Sequence, residues 1–528
     1  MVAQDVGTTT PDSLPTEPAP AARRPRAGSG RRTLVGFLLL FGLLAVWSLS
    51  TPLFAAPDES SQATRAAGAA DGQIFGRPDT AAGPSSVSFS VPAVLAQRLG
   101  DNPPCFAFLD TVPASCQTYY ATTTSRIRVA THVGSYPPLY YVIVGLPSVI
   151  VPTSGHQLYY MRLVSAALSA LFFAAAIVSA SQVRGRRWTV IGVAAAVTPS
   201  GIFLGSVINP SGLEISAGLC TWISALALFD GPDPRHRRRL LVWTVLSASV
   251  FVQLRGLSPL LLAILAVVLT VLVGWRRVLA VLRQRDAQVG LAVVLVCGVF
   301  AVVWIFSQHV LVSSTLPSPL LLKGSALHQA IDRSDNVHAM IGLFGWLDTV
   351  LPVWVDRVWE SIWWLLVIVA VLRRQWRTVA VGLGLAVVVA VLPVALTLHE
   401  RARFGLIGEA RYIMPLAVGL PVLAGYAASG RHEDRGPRRL AVLAAVGIAV
   451  VQVASFLVME QRNRTGVTGP IFTLHAPYSP FLPWLAGVIA IVLLQGAIAV
   501  WWVRQVPGAP VGLPRRRARS GAEALPAG

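Results

Sequence analysis

Residues 31–62 read RRTLVGFLLLFGLLAVWSLSTPLFAAPDESSQ. Two arginines, Arg31 and Arg32, precede an apolar run from Thr33 to Leu53. At roughly 20 residues such a run can cross a bilayer as a helix. A cleaved signal peptide is the rival reading, but the run is rather long for one and so is the tail before it. An uncleaved first span is expected. The chain then leaves the membrane at Ala56-Pro57 and presents two carboxylates in succession, Asp58 and Glu59.

Working outward, spanning-length runs recur at 158–181, 189–208, 211–229, 240–254, 257–274, 288–308, 353–372, 378–398, 413–429, 440–458 and 483–503. With the first, the expected architecture is an all-α polytopic membrane protein of about 12 transmembrane helices (11–13). The stretch 240–274 is too long for one helix, and Arg255-Gly256-Leu257-Ser258-Pro259 breaks it into a hairpin. Leu139 to Val151 is apolar but short, framed by Pro137-Pro138 and Pro152. It is expected to lie near the membrane face without crossing.

Composition agrees. Hydrophobic residues make up 54% of the chain and charged ones 13%, which excludes an ordinary soluble enzyme and a disordered scaffold. There are 43 Lys+Arg against 24 Asp+Glu, a surplus that could suggest nucleic acid. Its distribution decides otherwise. With the N-terminus in the cytoplasm, the cytoplasmic segments hold 28 Arg and 9 acids, and the outer ones 14 Arg, one Lys and 15 acids. The whole surplus falls on one side, as the positive-inside rule requires. The partner it implies is the bilayer, not nucleic acid. Both termini are expected in the cytoplasm, with 1–32 and 504–528 as disordered tails flanking a transmembrane domain over 33–503.

Three long segments then lie outside, at 54–157, 309–352 and 459–482, with a shorter one at 399–412. Long loops on one face of a bundle usually carry function. Cys105 and Cys116 share the first loop, in an oxidising compartment under this topology, and are expected to form a disulfide. Cys220 and Cys297 lie in spans and read as packing residues. Asp58 and Glu59 stand at the start of the largest loop. Acids there suit a helix N-terminus. An ionised carboxylate could equally take a proton from an incoming hydroxyl or hold a divalent cation.

The order of motifs resembles a known superfamily. A helix, Asp58-Glu59, a long outer loop closed by Tyr136-Pro137-Pro138-Leu139-Tyr140-Tyr141, and a helix start at Arg162-Leu163 resemble the GT-C glycosyltransferases, among them lipid-linked aminoarabinose transferases and protein O-mannosyltransferases. The closer resemblance is to the bacterial membrane-protein family of domain of unknown function 2142. It rests on Pro57-Asp58-Glu59, Pro137 to Tyr141, Asn209-Pro210-Ser211-Gly212-Leu213-Glu214, Phe344-Gly345-Trp346-Leu347-Asp348, and Gly408-Glu409-Ala410-Arg411-Tyr412 with Pro415.

The GT-C resemblance implies a transferase using a polyprenyl-phosphate-linked sugar at the outer face, with a cell-envelope glycan or lipid as acceptor. Asp58 would be the catalytic base and Glu59 a supporting acid or metal ligand, with Mg or Mn as a possible cation. Arg401, Arg403, Arg411 and Arg255 are the candidates for the leaving phosphate, since a guanidinium fork suits phosphate oxygens. They could instead snorkel to headgroups or pair with Glu400 and Glu409. Tyr136, Tyr140, Asn209, Glu214, Trp346 and Tyr412 are candidate acceptor contacts. Asn209 is equally a helix cap, and Trp346 part of an interfacial aromatic belt. The outer histidines, His132 among them, show no metal spacing. No Gly-Lys-Ser/Thr phosphate loop, dinucleotide fingerprint or His-Glu-x-x-His occurs. The alternatives are a flippase for lipid-linked glycans and a non-catalytic envelope-assembly subunit.

Overall fold

The computed structural model describes residues 28–82, 86–93, 95, 104–117, 125–151, 154, 156–183, 187–310, 336–404, 409–429 and 437–506. The two tails and much of the 309–352 loop lie outside them.

In chain order, α1 is Ser29–Ser50 and α2 Glu59–Ala70. Strands β1 (Arg77–Pro78), β2 (Val87–Pro92) and β3 (Arg126–Thr131) follow. Then come α3 (Pro138–Gly145), α4 (Pro147–Ile150) and α5 (Gln157–Ala180). Next are α6 (Thr189–Ala195), α7 (Pro199–Ser206), α8 (Pro210–Phe229), α9 (Pro234–Phe251) and α10 (Ser258–Val273). The short α11 (Trp275–Leu282), α12 (Arg285–Ser307) and α13 (Asn336–Gly342) lead to a two-residue hairpin, β4 (Leu343–Phe344) with β5 (Thr349–Val350). The chain closes with α14 (Val353–Leu372), α15 (Trp376–Phe404), α16 (Met414–Ala417), α17 (Gly419–Ala428), α18 (Pro437–Thr465) and α19 (Trp484–Val503).

Every apolar run expected to span is helical. The count by length and hydropathy is smaller than 12: among the described residues seven helices qualify, or up to nine if each bent pair is one span. The difference has local causes. Helix α9 begins at Pro234 and carries Arg235 and Arg237 to Arg239 in its first turns, so its apolar length is short. Helix α14 bears Asp356, Arg357 and Glu360. The run 413–429 divides into α16 and α17. The 240–274 hairpin turns between α9 and α10, and 138–150 is a pair of short apolar helices.

The core gathers on α5 and α8, whose most apolar stretches are 72% and 94% buried, against 22% for α12 and 17% for α15. The first two are enclosed by protein, and the last two present apolar side chains outward, as lipid-facing helices do. The span α6–α7 is broken by 57° at Pro199. Backbone groups freed inside a membrane must find partners. Here Ala195 O accepts from Trp359 Nε1 (3.1 Å) and Trp363 Nε1 (3.0 Å), and Val197 O from Gln452 Nε2 (3.1 Å). Gly192 allows α6 to lie against α17, since a Cβ there would meet Pro421 O at 2.2 Å.

The basic loops and the acid pair lie at opposite ends of the bundle. At the start of α1, Arg32 Nη1 donates to Gln505 Oε1 (3.2 Å) and Ser181 Oγ (3.3 Å). At its other end the first outer loop is not purely helical. Its alternating Val87-Ser88-Phe89-Ser90-Val91 forms β2, which pairs antiparallel with β1 and β3. Phe89 and Val91 are buried, with Phe89 close enough to α2 that a Cβ on Gly68 would meet its ring at 2.4 Å. Cys105 and Cys116 are bonded. The small lobe they close docks on α18 through Arg462, which donates to Phe106 O (2.6 Å), Val112 O (2.8 Å) and Asp348 Oδ2 (2.6 Å).

Candidate functional site

The two adjacent carboxylates face different surroundings. Helix α2 begins at Glu59, and Asp58 precedes it in the left-handed region at φ 62°. Asp58 makes no capping bond with its side chain. The expectation that both acids fall in the first helical turn holds for Glu59 alone. A non-glycine residue at positive φ is uncommon and costs about 1–3 kcal/mol, which the surrounding contacts must offset. The turn swings the two carboxylates apart.

Glu59 is 1% exposed. Arg162, from the first turns of α5, grips it bidentately, with Nε to Oε1 at 2.7 Å and Nη2 to Oε2 at 2.6 Å. The backbone N–H groups of Phe54 (2.9 Å) and Ile208 (3.1 Å) complete its shell. The rest of the guanidinium donates to Ser48 O, Thr51 O and Pro52 O at 2.7–2.9 Å. These include carbonyls at the end of α1 that the helix leaves without internal partners. Glu59 and Arg162 thus fasten α1, α2, α5 and the end of α7 together. Both oxygens of Glu59 are committed, so it is placed as a structural anchor rather than as a reacting acid.

Asp58 keeps 28% of its side chain exposed. Its Oδ2 accepts from Arg411 Nη2 at 2.7 Å, and its Oδ1 lies 3.5 Å from His132 Nε2. Burial raises the pKa of this carboxyl, but Arg411 and His132 outweigh it and hold the group well below the usual carboxylate range. Asp58 is therefore ionised at neutral pH. His132, at the end of the β3 arm, places its Nδ1 3.3 Å from Ser61 Oγ on α2.

Arg411 stands on a one-turn 3-10 helix, Ala410–Tyr412, and is 7% exposed. Burial works against its charge, yet Glu409, Tyr412 and Asp58 hold its pKa well above the ordinary arginine value. Its Nε pairs with Glu409, and its Nη2 also reaches Tyr412 Oη at 3.2 Å. A second guanidinium joins it. Arg255, in the α9–α10 hairpin, lies 4.2 Å from the Tyr412 ring centroid, and Arg411 lies 5.1 Å from it. Arg255 Nη1 donates to Ser211 Oγ at 2.5 Å and makes no ion pair among the described residues. One buried and one half-buried cation against one aromatic ring, beside a carboxylate, form a site suited to a phosphate-bearing ligand.

Asn209 supports this arrangement. Its Oδ1 caps α8 at Ser211 N (3.0 Å), and its Nδ2 donates to Pro57 O (3.3 Å). Glu214, one turn into α8, is 1% exposed and accepts from Ser258 Oγ (2.5 Å), beneath Arg255. Tyr136 takes Arg65 Nη2 on its carbonyl at 3.0 Å.

Of the other expected residues, two pack against protein and two have side chains outside the described residues. Tyr140 is buried, with its hydroxyl 3.0 Å from Ser165 Oγ. Trp346 donates to Phe54 O at 2.9 Å and stacks edge-on with Phe108, so it packs the rim. Arg401 and Arg403 belong to the end of α15, and their side chains lie outside the described residues. Among the described residues no group of three His, Cys, Asp or Glu is placed to hold a metal ion.

Sequence reasoning names His132 only as an outer histidine without metal spacing and Arg162 only as a helix start, and places neither at the acid pair. His132 lies 74 positions after Asp58 on a loop with no local signal of chemistry. Arg162 had one: an arginine in the first turns of an apolar span needs a partner.

None of the curated proteins matches the chain. Two solved structures are similar to it. One is ArnT from Cupriavidus metallidurans in the apo state, 15% identical, with a TM-score of 0.45, the match covering 91% of this chain and 77% of that one. The other is the same protein bound to undecaprenyl phosphate, also 15% identical over 91% and 77%, with a TM-score of 0.41. The model of the family "Predicted membrane protein (DUF2142)" matches residues 41–420, most of the chain and all the residues just described around Asp58, and the chain belongs to that family.

Proposed function

We propose that the protein is a membrane transferase that moves a sugar from a polyprenyl-phosphate carrier to a cell-envelope glycan or lipid at the outer face of the plasma membrane, with both termini cytoplasmic. One observation carries this reading: Asp58, Arg411, Arg255 and Tyr412 converge from distant parts of the chain at the end of the bundle opposite the basic loops. The order of motifs shared with the GT-C glycosyltransferases supports the same assignment of parts.

The chemistry follows from the charges. The acceptor hydroxyl approaches the exposed face of Asp58, which takes its proton as the oxygen attacks the anomeric carbon. The bond to the carrier phosphate breaks, and that phosphate leaves with the electron pair. Arg255 and Arg411 neutralise its charge in a site where water is partly excluded, so each contact is worth more than in water. Attack opposite the leaving group inverts the anomeric centre.

A divalent cation, Mg or Mn, fits these residues poorly. Glu59 has no oxygen to offer, and Asp58 faces Arg411 and His132 with one oxygen each. The arginines supply the positive charge instead.

The test is transfer from radiolabelled polyprenyl-phosphate sugars to membrane acceptors by the purified protein. Transfer that disappears in Asp58→Asn, with folding intact, supports the reading. Full transfer by that variant removes Asp58 from the reaction.

A further inference from the structure

At the end of the bundle remote from Asp58, the chain builds a device that the transferase reading does not use. Helix α10 ends at Gly274, whose φ of 99° favours glycine. The chain then turns by 110° into α11. Because α10 is apolar and runs with the spans, a helix bent this far from it lies close to the membrane plane. Arg377 Nη2 secures the corner by donating to Val271 O at 2.8 Å, a carbonyl in the last turn of α10.

Helix α11, Trp-Arg-Arg-Val-Leu-Ala-Val-Leu, is amphipathic. At 100° per residue, Trp275, Val278, Leu279 and Leu282 share one face, and Arg276 with the following Arg283 flank it. Yet none of its residues is buried: Trp275 is 61% exposed and Leu279 39%. An apolar helical face left bare between α10 and α12 needs a cover, and both neighbours place it at the bilayer surface. Arg277 is tied to Asp230 at 3.2 Å. Arg276 lies beside the Trp275 ring at 5.8 Å, and neither it nor Arg283 has an acidic partner among the described residues.

We infer that α11 is an interfacial anchor, its Trp275–Leu279 face sunk among acyl chains and Arg276 and Arg283 binding the phosphates of anionic phospholipid. The shape supplies the first half: a short amphipathic helix held parallel to the surface buries its apolar face at the headgroup boundary. The charge supplies the second, since arginines beside that face meet anionic headgroups at close range. The inference depends on the membrane class of the protein and not on its chemistry.

The full chain in nanodiscs tests it, with a spin label at Leu279→Cys in a Cys220→Ser/Cys297→Ser background. The label is expected below the phosphate level, reached by oxygen and shielded from a water-soluble nickel chelate. A label open to the chelate overturns the anchoring and leaves the face for a protein partner. The second arm is lipid exchange between phosphatidylcholine and phosphatidylglycerol discs, read by native mass spectrometry. Arg276→Gln/Arg283→Gln is expected to lower the preference for phosphatidylglycerol by about thirty-fold, the worth of two arginines at an anionic surface. Both arginines are exposed, so folding should survive, and a thermal melt equal to the parent's checks that. An unchanged preference in a folded variant overturns the headgroup assignment.

Discussion

Two arginine–carboxylate pairs stand one residue apart at the outer end of α1, and they do opposite work. Glu59 and Arg162 are sealed in protein, with side-chain exposures of 1% and 0%. Asp58 and Arg411 form a pair of similar length, but Asp58 is 28% exposed, and Arg255 and Tyr412 stand beside it. A closed pair with every oxygen committed can only hold the fold together. A pair at an edge can release one partner to a ligand. Hydrogen-bond geometry alone would not separate them; access does.

The largest expected effect breaks the closed pair. Glu59→Gln leaves Arg162 charged and buried, which costs about 3–5 kcal/mol. The variant should be recovered poorly or melt far below the parent in detergent. A normal melt would show that Glu59 is not the anchor described. Opening the other pair should spare the fold and remove chemistry. Asp58→Asn is expected to melt near the parent while losing about 10²- to 10⁴-fold in transfer rate. Equal loss of stability in the two variants would erase the distinction between them.

Arg255→Lys sharpens the edge of the comparison. It keeps the charge but loses the planar fork that lies over Tyr412. The KM for the lipid-linked donor should rise about tenfold with kcat nearly kept. Next comes His132→Gln, which keeps a polar group near Asp58 but not the imidazole that reaches it. Transfer should fall about three- to tenfold. The smallest effect is on stability against pH. Asp58 has a folded pKa below its ordinary value of 3.8. Its pairing should stabilise the protein fully above that value and fade as pH falls from it through the lower folded value. Melts of the parent and Asp58→Asn should therefore begin to converge as pH falls below about 4 and go on converging toward the lower folded value.

Hydropathy made most of the architecture legible. The first span, the hairpin at Arg255 and the short helices after Pro137 all stand where apolar runs and prolines place them. The run 87–91 alternates, but inside a long loop flanked by spans hydropathy does not single it out as a strand. Within the site, the nearness of Asp58 to Arg411 and of Arg255 to Ser211 and Glu214 joins segments whose motifs the sequence displays. Trp346 and Tyr140 are buried, which their motifs do not reveal, because an aromatic motif does not say whether its ring packs inward or faces a ligand.

The amino-acid sequence by itself determined which segments leave water, since burying apolar length in lipid is a local property of each run. It also determined that two acids emerge together beyond the first span. Which of the two is sealed and which stays open was decided only by the tertiary structure. That choice depends on Arg162, Ile208, His132 and Arg411, which lie 74 to 353 residues from their partners along the chain. Only folding sets them around a turn where Asp58, at positive φ, faces away from its neighbour.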